Sequence, residues 1–85
     1  MVKIIKDIKI KIVSQGTYEL FAIYYCTISK QFEIQVWGCT DIDKDHIMNY
    51  IKGGGVSSLH SSQDSVQSTF KDALAFVKNS VHARP

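Results

Sequence analysis

The stretch Thr17–Ile28, TYELFAIYYCTI, constrains the fold more than any other part of the chain. Side chains alternate across a strand, so Tyr18, Leu20, Ala22, Tyr24, Cys26 and Ile28 point one way, and Phe21, Ile23 and Tyr25 the other. A strand that is apolar on both sides belongs in the middle of a sheet, with something covering each face. One face is expected to be the protein's own core, and what covers the other is the functional question.

The flanking segments supply the neighbours. In Val2–Val13, Ile4, Ile8, Ile10 and Ile12 take even positions while Lys3, Asp7, Lys9 and Lys11 take odd ones, a period of two. Lysines along one side suit an edge strand, where charge discourages sheet-to-sheet association. Ser14-Gln15-Gly16 predicts a three-residue turn with glycine in the left-handed conformation. Pairing Val13 with Thr17 then sets Lys11 opposite Glu19, Lys9 opposite Phe21, Asp7 opposite Ile23 and Ile5 opposite Tyr25. The opposed charges of Lys11 and Glu19 favour this register. Ser29-Lys30-Gln31 predicts the next turn, followed by Phe32, Ile34 and Val36 alternating with Glu33, Gln35 and Trp37. A three-residue loop pairs Ile28 with Phe32, Cys26 with Ile34 and Tyr24 with Val36, which keeps the apolar sets together.

Thr40–Gly55 predicts a short helix. Asp43 is its N-cap, Ile42 and Ile47 form a hydrophobic staple, Ile47, Tyr50 and Ile51 form the buried stripe, and Gly53 is a left-handed stop. Gly54–Ser62 is small and polar and predicts a loop or short edge strand. Val66, Phe70, Ala73, Leu74, Val77 and Val81 recur at helical spacing. This helix begins near Asp64 if Val66 belongs to its stripe, the version favoured, or at Thr69, where Thr69 and Asp72 resemble a capping box. His82–Pro85 are expected to fray. The expected fold is α+β: a three-stranded antiparallel β-meander with room for a short fourth strand, a short helix closing one end, and a long C-terminal helix packed on one face. That face is the even one, carrying Ile8, Ile10, Leu20, Ala22, Tyr24, Ile34 and Val36.

Eighty-five residues make a single domain over 1–85, one that buries only about 60% of its unfolded surface. A net charge of +2 is too small to announce a nucleic-acid binder by itself. No apolar run approaches membrane-spanning length, and the charges interrupting MVKIIKDIKIKIV exclude a signal peptide, so a cytoplasmic protein of a cell, or of a virus acting inside one, is expected. Two cysteines fit no metal spacing. By parity Cys26 and Cys39 fall on opposite faces, which disfavours a disulfide and suits a reducing compartment.

No catalytic motif, cofactor fingerprint or metal site emerges. Asp41-x-Asp43-x-Asp45 opens like a calcium loop, but His46 and Lys52 stand where that loop needs glycine and glutamate, so these acids read as helix-start residues. Lys52-Gly53-Gly54-Gly55 follows a helix, whereas a phosphate loop precedes one. His46, His60 and His82 share no spacing. A nucleophile pair of Cys39 with His46 or His60 lacks an accompanying elbow or oxyanion element.

The candidate site is the odd face, with Phe21, Ile23, Tyr25 and Trp37 at its centre and Lys9 and Lys11 at its rim. Two helices cannot easily cover both faces of so small a sheet, so an exposed aromatic patch is expected, and such patches mark interfaces. The occupant is expected to be a protein, either a second copy giving a homodimer or a foreign partner. The alternative is single-stranded nucleic acid, whose bases stack on aromatics of an antiparallel sheet between lysines. Glu19 and Glu33 on the same face and a single arginine in the chain weigh against it. Ser68–Phe76, STFKDALAF, following a β-meander, resembles small antitoxin domains of the HicB type; the resemblance spans one helix and lends no site residues. The expected function is that of a small stand-alone, non-enzymatic binding protein that inhibits or regulates a larger complex, as antitoxins and viral counter-defence proteins of the anti-CRISPR kind do.

Overall fold

Period-two patterning becomes sheet wherever the sequence carries it. The computed structural model describes residues 2–53 and 65–80. Strands β1 (Lys3–Ser14), β2 (Thr17–Cys26), β3 (Gln31–Thr40) and β4 (Ser65–Gln67) form one antiparallel sheet in the order β1-β2-β3-β4. Helix α1 (Lys44–Lys52) follows β3, and α2 (Phe70–Asn79) follows β4, giving a small α+β fold. The loop expected at Gly54–Ser62, Val81 and the tail His82–Pro85 lie outside the described residues.

Between β1 and β2 the expected register holds from Asp7 to Ile12, with Lys11 opposite Glu19, Lys9 opposite Phe21 and Asp7 opposite Ile23. It breaks on either side of that run. A bulge at Lys6 sets Ile5 against Tyr24 and Ile4 against Tyr25, where regular pairing put Ile5 against Tyr25. A second irregularity at Val13 lets Ser14 pair with Thr17, so the loop shrinks to Gln15-Gly16, with Gly16 left-handed at φ 76° as expected. A bulge adds one unpaired residue and exchanges the faces of everything beyond it. Ile5 thereby joins Ile8 on the same side of the sheet.

The β2–β3 register departs further. Phe32 pairs with Tyr25 rather than Ile28, a slip of three residues from expectation. The loop is Thr27-Ile28-Ser29-Lys30, closed by Lys30 N–H donating to the Cys26 carbonyl at 2.8 Å, with Lys30 left-handed at φ 58°. Ile28 is a solvent-facing loop residue and ends no apolar row. An odd slip moves every β3 side chain to the other face. Phe32, Ile34 and Val36 therefore join Phe21, Ile23 and Tyr25, while Glu33, Trp37 and Cys39 join Tyr24, Leu20 and Tyr18. This register pools Phe21, Ile23, Tyr25, Phe32, Ile34 and Val36 on one face.

Helix α2 covers that pooled face. Ala73 and Val77 pack on Phe21, Ile23 and Ile34, with Phe70 and Leu74 around them. The C-terminal helix thus lies on the odd face of β2, correcting the expected even one. It starts at the later of the two candidate positions, which corrects the favoured start near Asp64. Thr69 caps it, its hydroxyl oxygen accepting from the Asp72 N–H at 3.1 Å, while Val66 belongs to β4 opposite Glu33.

Helix α1 lies against the other face, where Ile51 packs on Ala22 and Tyr24, flanked by Ile5, Ile8, Trp37 and Ile47. It covers a face rather than closing an end. Asp43 stands at the N-cap but does not cap; its carboxylate accepts from the Thr40 N–H at 2.6 Å and the Thr40 hydroxyl at 3.2 Å. Ile42 is 94% exposed, so the staple does not form, and Gly53 ends the helix at φ −77°, not left-handed. The start of α1 is tied to the β1–β2 loop instead. Asp41 N–H donates to the Gly16 carbonyl, Tyr18 donates its hydroxyl to Asp41, and Lys44 sits 4.5 Å from the Tyr18 ring centroid.

Candidate interaction surface

The six residues read from the sequence as one surface divide between two faces. Phe21 and Ile23 are wholly buried beneath α2, and Tyr25 is half-buried at the edge of the same cluster. Trp37 is half-buried on the opposite face with α1. Lys9 and Lys11 do flank Phe21 and Glu19, as expected. No open aromatic face results, because each face of β2 has its own helix. The surface on which base stacking was read is withdrawn with it.

The two rim lysines are engaged within the fold. Lys11 reaches across Phe21, its ammonium 5.4 Å from the ring centroid, and donates to the carbonyls of Lys78 and Ser80 at 3.1 and 2.9 Å. It therefore satisfies the carbonyl end of α2, where positive charge is favoured. Lys9 pairs with Asp7 at 3.2 Å in a largely exposed contact. Lys3 is different again: it pairs with Glu33 at 3.2 Å, both side chains nearly buried, and lies 5.0 Å from the Tyr24 ring centroid.

What remains open is β1 itself. It is an edge strand of twelve residues, and no described strand pairs with its outer side. Ile4, Ile10 and Ile12 along it are exposed, Ile12 to 77%. Two clefts of about 350 Å³ border it. One is lined by Lys6, Phe32 and Phe70, where Tyr25, Phe32 and Phe70 form a tilted stack with centroid separations of 5.1 and 5.7 Å. The other is lined by Lys9, Ile10, Lys11, Leu74, Val77 and Lys78. Sequence reasoning missed Lys6 because a bulge, which has no residue signature here, directs it. It missed Phe32 and Phe70 because they meet only in the slipped β2–β3 register.

Among the described residues, no group of three or more histidine, cysteine, aspartate or glutamate side chains could hold a metal ion, and no helix is long and apolar enough to cross a membrane. The cysteines are free and buried. They share a face, contrary to the parity expected, but Cys39 lies opposite Tyr18 and Cys26 eight positions along β2 from it, about 26 Å of strand and too far to bridge. Burial pushes the Cys39 thiol above the ordinary cysteine value, and the Asp43 charge adds to this. The Cys26 thiol is lowered, chiefly because the Ser29 hydroxyl and the Ser29 and Ile28 N–H groups donate to it. Compared with known proteins, the chain matches no family model, no curated relative and no solved structure.

Proposed function

We propose that the protein is a non-enzymatic binding domain that acts by occupying a protein partner, as an inhibitor or regulator of a larger assembly does, and that it meets this partner along the outer edge of β1. The observation that carries the proposal is the long edge that no described strand pairs, with exposed isoleucines beside it. An open edge presents backbone donors and acceptors to another chain, and apolar side chains beside it add affinity. A foreign partner suits this edge better than a second copy. Self-pairing of two β1 edges gathers Lys6, Lys9 and Lys11 of both copies, with only Asp7 to offset each set. Free thiols suit action in a reducing cytoplasm.

The test uses the full chain as bait in the cells that express it. A partner recovered by the wild type and by Ile42→Asp, but lost with Ile10→Asp, supports the edge as the binding surface. Ile42 is more exposed than Ile10 and stands off the strand, so it controls for added charge. Recovery that Ile10→Asp leaves unchanged overturns the assignment to β1. A steep loss of capture with salt, paralleled by loss on nuclease treatment, transfers the function to nucleic acid.

A further inference from the structure

We infer that the partner segment received by β1 is an extended acidic peptide whose apolar side chains, four residues apart, seat in the two clefts between β1 and α2. This rests on the β1 reading above and adds the chemistry of the ligand. Charge is the first argument. The clefts are lined by Lys6, Lys9, Lys11 and Lys78, with Asp7 in an exposed pair with Lys9 and Glu19 opposite Lys11. Lys6 has no carboxylate within 4 Å among the described residues, and the bulge that carries it interrupts the pairing of β1 with β2. Bulges re-aim side chains, and here the re-aimed one is an ammonium group at the mouth of an aromatic cleft.

Spacing is the second argument. One cleft is bordered on β1 by Lys6 and the other by Lys9 to Lys11, whose midpoint lies four residues further along the strand. At roughly 3.3 Å per residue this is about 13 Å, the span of four residues in a second extended chain laid alongside. Side chains at i and i+4 of such a chain point to the same side, so both enter clefts on the α2 side of the sheet. One cleft offers the faces and edges of Phe32 and Phe70, and the other offers Leu74 and Val77, so large apolar or aromatic anchors fit both. Aspartate or glutamate between the anchors meets Lys6 and Lys9, an arrangement that a basic or neutral segment does not satisfy.

The test is selection of a displayed library of random twelve-residue peptides on the immobilised full chain, followed by binding of synthetic winners to 15N-labelled protein. The expected winners carry two large apolar residues four apart with acids among them, shift the β1 amide resonances, and bind at least tenfold more weakly to Lys6→Glu/Lys9→Glu. Both lysines are exposed, so circular dichroism of that variant should match the wild type. Winners that shift β1 but lack acids or the four-residue spacing, or that ignore the charge reversal, overturn the ligand chemistry and leave the edge reading standing. Winners that leave the β1 resonances unmoved, or a selection that enriches nothing, overturn both.

Discussion

Single residue types do several physical jobs in this chain, and lysine shows it best. Lys3 is held in a nearly buried ion pair with Glu33, Lys9 in an exposed one with Asp7, Lys11 closes the carbonyl end of a helix, and Lys6 stands in a bulge. In the sequence all four look alike, because what separates them is three-dimensional: depth, register and a helix end 67 residues away. The cysteines are also alike on paper, and the structure gives them opposite chemistry. Hydrogen bonds donated to Cys26 favour its thiolate, whereas burial of Cys39 disfavours the charged form. In single-thiol variants, Cys39→Ser reporting Cys26 and Cys26→Ser reporting Cys39, the pH–rate profile of alkylation should inflect below the ordinary cysteine value for Cys26 and above it for Cys39. Ser29→Ala should move the Cys26 inflection upward. Inflections in the reverse order would remove the hydrogen-bonding account. The linked stability effects have opposite signs. The native state favours the Cys26 thiolate, so that group's contribution is complete above the unfolded-state value and is lost as pH falls through the lower native one. The native state disfavours the Cys39 thiolate, so its contribution is complete below the unfolded-state value and is lost as pH rises through the higher native one.

Elements were legible in proportion to how local their determinants are. Period-two alternation located β1, β2 and β3, and Gly16 marked its turn, since each signal lies within a few residues. The favoured start of α2 near Asp64 was wrong, because Val66 belongs to β4 and Thr69 caps the helix. Register was less legible. The three-residue loop expected at Ser29-Lys30-Gln31 gives way to a four-residue loop over Thr27–Lys30, with Lys30 left-handed, and one odd slip then exchanged every face of β3. The expected surface was divided for the same reason: Trp37 left the group and Phe21 and Ile23 went under α2. The bulge at Lys6 gives this point an experimental form. Deleting Lys6 removes only the unpaired residue and leaves every observed β1–β2 pair in place. The variant should unfold within about 1 kcal/mol of the wild type. Its straightened edge should also associate with itself at high concentration, visible as a rising mass by light scattering, because bulges protect edges. Deleting Lys9 instead carries Asp7 to the place opposite Ala22, beside Ile51, and puts an unpaired charge into the α1 cluster at a cost of several kcal/mol. Equal stabilities for the two deletions would contradict the assigned register.

At the scale of the whole molecule, β2 is shared by two cores. Phe21 and Ile23 look toward α2, and Ala22 and Tyr24 look toward α1, so neither core exists without the same ten-residue strand. A chain of 85 residues has a total stability on the order of 4–13 kcal/mol. Loss of a large buried aliphatic side chain typically costs about 2–5 kcal/mol, a sizeable share of that. Ile51 is the one fully buried residue of α1, and truncating it should remove most of what holds that helix. If the shared strand couples the cores, damage on the α1 face must also be felt on the α2 face. Two probes separate the possibilities. The emission of Trp37, the only tryptophan, reports the α1 cluster, and the methyl resonances of Val77 report the α2 cluster. In denaturant titrations both should give one midpoint in the wild type and one lower, still common, midpoint in Ile51→Ala, as a two-state domain requires. An early tryptophan transition with Val77 unmoved would mean that α1 detaches alone and that the α2 side of the sheet, with β1 and its clefts, is the independent folding unit.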